Sequence, residues 1–74
     1  MTIDQWLSSQ GLPRTGWVLL LGRRPFGWER RMPIAASVVP GVVAIQVETG
    51  ERMVATGGDR QGAKGWTVLN TEGE

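Results

Sequence analysis

With 74 residues, 41 % of them apolar, the chain has material for a single small domain over 1–74 with a thin core. It contains neither cysteine nor histidine, which excludes disulfide staples, thiolate metal sites and imidazole acid–base chemistry. A formal net charge of +1 provides no global field to attract nucleic acid or an anionic membrane, yet four arginines and one glutamate put +3 on residues 23–31 and leave −2 for the remainder.

Thr2 to Gln10 predicts a helix. Thr2 followed by Gln5 has the spacing of a capping box, and Asp4 in the first turn suits the positive end of the helix dipole. Ile3, Trp6 and Leu7 fall on one face, Gly11 is placed to close the helix in the left-handed conformation, and Pro13 stops it continuing. A helix of about two turns does not hold alone, so Trp6 and Leu7 must dock on the rest of the chain or on a second copy. The first residues lack the basic and apolar regions of a signal peptide, and no apolar run approaches the roughly 20 residues that span a bilayer. The expected location is cytoplasmic, with no membrane partner.

Trp17 to Leu21 is a short apolar run that reads as a buried strand. Arg24-Pro25-Phe26-Gly27 then has the signature of a type I turn. Beyond it Trp28, Arg30, Met32 and Ile34 alternate with Glu29, Arg31 and Pro33, which predicts an edge strand. Pairing 17–22 with 28–35 makes a hairpin whose tip is the arginine-aromatic stretch. Ala35–Val39 suits either strand or a turn of helix, and Pro40-Gly41 signals a type II turn. A second hairpin joins Val43–Val47 to Glu51–Thr56 through a three-residue loop, Glu48-Thr49-Gly50, with Ile45 opposite Met53 and Val43 opposite Ala55. A two-residue loop would set Glu48 against Glu51, and like charges facing each other across strands are unfavourable. Gly57 to Gly65 reads as a flexible polar loop, Trp66 to Asn70 as a last strand, and Thr71 to Glu74 as a frayed acidic tail. The expected fold is α+β: a short N-terminal helix, about 2–10, packed on a small antiparallel sheet or half-open barrel of about five strands in a β-rich part over 16–70.

The chemistry available is narrow. Serines 8, 9 and 37 have no histidine to activate them, and the carboxylates show no spacing suited to a metal cage. The glycine-rich loop carries Arg60 and Lys64 but lacks the order of a phosphate-binding loop that leads into a helix. No catalytic, cofactor-binding or metal-binding residue is assigned, and the protein is expected not to be an enzyme. The candidate contact residues are Arg23, Arg24, Phe26, Trp28, Arg30 and Arg31, with Arg60 and Lys64 secondary, because tryptophan and arginine are enriched in interface hot spots. Trp28 has two readings, as the first inward residue of its strand or as an exposed anchor.

The expected function is a non-enzymatic protein-binding module: a small adaptor, subunit or inhibitor whose protein partner the sequence does not identify. One alternative is a small nucleic-acid-binding domain that stacks bases on Phe26 and Trp28 and neutralises phosphates with the arginines. Another is a structural component of a larger assembly. The expected edge strand also suits homodimerisation or strand addition.

Overall fold

The computed structural model describes residues 2–69. Asn70, expected to end the last strand, and the acidic stretch 71–74 lie outside the described residues.

The helix α1 (Ile3–Gln10) begins and ends where local chemistry places it. The Thr2 hydroxyl accepts from the Gln5 N–H at 3.1 Å, and the Gln5 side-chain oxygen accepts from the Thr2 N–H at 2.8 Å. Gly11 closes the helix at φ 68, and the Leu12 N–H donates to the Leu7 carbonyl at 2.9 Å. Thr2→Ala removes one cap acceptor and is expected to cost about 1 kcal/mol. In a domain of this size that lowers the thermal midpoint by roughly 4–8 °C, which calorimetry would measure.

Among the described residues, five strands form one open antiparallel sheet: β1 (Trp17–Leu21), β2 (Arg24–Glu29), β3 (Val43–Gln46), β4 (Arg52–Thr56) and β5 (Gly65–Val68). Their order is β2-β1-β3-β4-β5, so β2 and β5 are the edges and the sheet does not close into a barrel. The fold is α+β, with the helix on one face of the sheet.

The first hairpin turns earlier than the Pro-Phe-Gly signature suggested. Its turn is Gly22-Arg23, with φ of 60 and 72, the two-residue form whose twist matches that of the flanking strands. A type I turn over Arg24–Gly27 would splay those strands, so Pro25 and Phe26 become strand residues instead. β2 ends at Glu29, and the expected continuation through Pro33 is not paired.

The second hairpin also differs from expectation. Its loop has four residues, Val47–Gly50: Gly50 N–H donates to the Gln46 carbonyl at 2.7 Å, and Gln46 N–H to the Glu51 carbonyl at 2.8 Å. Ala44 therefore faces Met53, and Ile45 faces Arg52. This one-residue shift from the expected register moves every β4 side chain to the opposite face. Met53-Val54-Ala55 is apolar throughout and has no alternation to oppose the shift.

Both faces of the sheet bury apolar side chains. On one face Leu19, Ala44 and Ala55 pack with Val42, Ala35 and Ala63, flanked by Trp17, Trp66, Met32 and Val38. Here Ala35–Ser37 resolves as a short 3-10 turn. The connection 57–65, expected to be flexible, is bonded to it: Ala63 N–H donates to the carbonyls of Ala35 (3.1 Å) and Val38 (2.9 Å). Asp59 and Gly62 exchange two backbone bonds of 3.0 Å, and the Trp66 indole N–H donates to the Pro33 carbonyl at 2.9 Å. The opposite face carries Val18 paired with Ile45, both buried, and α1 lies on this side. Leu7, 0 % exposed, is the buried side chain of the helix, whereas Trp6 is only half-buried.

Candidate functional site

The β1–β2 hairpin sorts the candidate residues by strand parity. Leu21 pairs with Arg24 and Leu20 with Pro25; the register then shifts, so that Leu19 faces Gly27 and Phe26 is the extra residue of a bulge. Opposed residues share a face, and a bulge re-aims the side chain it adds. Phe26 consequently joins Leu21 and Arg24 on the face opposite α1. There Phe26 (55 % exposed) and Leu21 (51 % exposed) border an apolar recess of about 250 Å³ with Val38, Val39 and Val42. Val39 is exposed as well.

Arg23 lines the other face. It borders a groove with Leu20, Pro25 and Val43 on the α1 side of the sheet. Two arginines adjacent in sequence thus serve opposite faces.

Trp28 is half-buried, and its indole N–H donates to the Thr15 carbonyl at 2.7 Å. The ring lies against Gly16, which sits at φ 80 beneath it. Of the two readings of Trp28, this environment matches the inward one. The ring pins β2 to the segment that precedes β1.

Arg30 and Arg31 are exposed beyond the far end of β2. At the rise of an extended strand they lie about 20 Å from Arg24, so the four arginines form two groups and do not ring a single aromatic centre. Arg60 and Lys64 are exposed on the β4–β5 connection. Because β1 and β4 both pair antiparallel with β3, they run the same way, and this connection lies at the same end of the sheet as the Gly22-Arg23 turn. That end carries Arg23, Arg24, Arg60 and Lys64 against Asp59. The opposite end mixes Arg30 and Arg31 with Glu29, Glu48 and Glu51.

The free edge of β2 is a poor template for another strand. In a two-residue hairpin Leu21 and Arg24 exchange hydrogen bonds, so the next pair, Leu20 and Pro25, directs its backbone groups outward. Proline has no N–H to offer there, and the bulge at Phe26 breaks the ladder beyond it.

The recess and the α1-side groove were missed by sequence reasoning. Leu21, Val39, Arg52 and Leu20 each look ordinary in their own segment, and only the sheet register assembles them. Among the described residues no three side chains of metal-ligating type cluster, and no helix is long and apolar enough to cross a membrane. Comparison of the chain with protein-family models, with curated proteins and with solved structures returns no match.

Proposed function

We propose that the chain is a non-enzymatic protein-binding module, a small cytoplasmic adaptor, subunit or inhibitor, whose contact surface is the face of the β1–β2 hairpin centred on Phe26. The supporting observation is the bulge. It lifts a phenylalanine out of an edge strand and leaves it half-exposed beside Leu21 and Val39, with the Arg24 guanidinium group on the same face. Full burial of a phenylalanine or leucine side chain is worth about 1.5–3 kcal/mol, and roughly half of that remains available at both Phe26 and Leu21. An apolar centre with arginine at its border is the usual composition of a hot spot. The blunted β2 edge favours contact through this face over strand addition or dimerisation along the edge.

A nucleic-acid role has less support, because the Trp28 ring is half-buried with its N–H engaged and the arginines are divided between two ends of the sheet. The test is a comparative pull-down from the native host with the full chain and a Leu21→Ser/Phe26→Ser variant. A protein captured by the parent and lost by the variant is expected, with far-ultraviolet circular dichroism unchanged; Phe26→Ala alone should weaken the purified pair by about thirtyfold. Capture that survives the double substitution places the contact elsewhere. Oligonucleotide binding that falls steeply with salt would instead favour the nucleic-acid reading.

A further inference from the structure

We propose a second docking surface on the opposite face of the sheet: the groove beside α1 receives an apolar, acid-flanked helical segment of a partner protein. The floor is a cross-strand row. Pro25, Leu20 and Val43 lie in register across β2, β1 and β3, and Val54 continues the row onto β4. Ile3, at the start of α1, forms a wall, and the cavity measures about 570 Å³.

The row is open because α1 is too short to cover it. Eight helical residues extend about 12 Å, whereas five strands extend about 19 Å from edge to edge. On the other face the 3-10 turn and the 57–65 connection complete the cover. On this face the helix lies on the side of the buried Val18 and Ile45, and among the described residues no second element covers the next row. An apolar sheet face is normally buried against another layer.

Charge indicates the occupant. Arg23 and Arg52 border the groove, and among the described residues no carboxylate lines it. Among the described residues the one ion pair is Arg14 with Asp4 at 3.9 Å, so neither bordering arginine has an ion-pair partner among them. Arg23 is also the one non-glycine described residue with positive φ, at 72. A side chain in that conformation costs about 1–2 kcal/mol, and glycine would occupy the second turn position without that cost. The turn instead holds a guanidinium at the groove mouth.

Three strand spacings across the sheet, together with about four residues along it, put the Arg23 end and Arg52 roughly 20 Å apart. A single-headed amphiphile satisfies only one of them. A helix of about thirteen residues covers that distance, with an acidic side chain near each end and leucines facing the floor. This surface does not involve Phe26 and stands or falls independently of it.

The test uses the isotope-labelled full chain and a synthetic 14-residue amphipathic peptide with glutamates near both ends. Its counterpart with lysine in place of glutamate and a scrambled peptide of the same composition are the controls. The acidic peptide is expected to shift the amides of Leu20, Val43, Val54 and Arg52. Arg23→Ser/Arg52→Ser should weaken it at least tenfold without moving the thermal midpoint, and Leu21→Ser/Phe26→Ser should leave binding unchanged. The inference is overturned by an absence of shifts at millimolar peptide, by equal binding of the scrambled peptide, or by shifts centred on Leu21 and Phe26. Dodecanoate saturating the same amides more tightly than the peptide would also overturn it and make the groove a small-amphiphile site.

Discussion

Leu7→Ala is expected to remove about 2–5 kcal/mol of stability, the range for emptying a fully buried leucine site. The whole domain has only about 4–11 kcal/mol to lose at typical stability per residue. Leu7 is the one buried side chain of α1, and an eight-residue helix has little stability of its own. Its loss exposes Val18 and Ile45 beneath the helix while leaving the Leu19–Ala44–Ala55 side of the sheet packed. The expected result is a lower urea midpoint together with diminished helical circular dichroism. A loss well below about 1 kcal/mol would show that α1 is held by something other than this contact.

Gly16→Ala is expected to cost about 3 kcal/mol or more, because two penalties fall on one atom. Gly16 has φ 80, and an added Cβ would lie 2.6 Å from the Glu29 carbonyl oxygen and 3.0 Å from Cζ2 of Trp28. Gly16 also accepts from the Val47 N–H at 2.9 Å, so the backbone cannot simply withdraw. The end of β2 and the Trp28 ring must therefore move. Near-ultraviolet circular dichroism should change along with the unfolding midpoint. Gly22→Ala provides the control, since its φ is 60 and nothing lies within 4 Å of the added carbon. That variant should show only the conformational cost of about 1–2 kcal/mol. Equal losses at the two sites would mean that the packing of Gly16 on β2 contributes nothing.

The Phe26 surface and the α1-side groove make the hairpin a two-faced element. Arg24 accompanies Phe26 on one face, and Arg23 borders the groove on the other. In sequence these residues form one basic-aromatic stretch. The type I′ turn and the bulge divide it, and a substitution in one surface is expected to leave the other working.

The sequence by itself determined what depends on neighbours within a turn or two. Thr2, Gln5 and Gly11 specify α1 through contacts three or four residues long, and their geometry matches the expectation. The α+β class and the number of strands follow equally from short apolar runs separated by glycine and proline. What only the tertiary structure decided is which side of the sheet each side chain occupies. Met53-Val54-Ala55 has no polar member to mark a face, so the β3–β4 register depends on the pairing of β3 with β1 and on the helix above Val18 and Ile45. Arg24–Gly27 satisfies a type I turn locally, yet strand twist makes Gly22-Arg23 the better closure. The 57–65 connection is ordered by carbonyls of Ala35 and Val38, far away in sequence. Register, bulge and docking are long-range choices, settled by burial on both faces at once, and they decide which of Arg23, Arg24, Phe26 and Trp28 faces solvent.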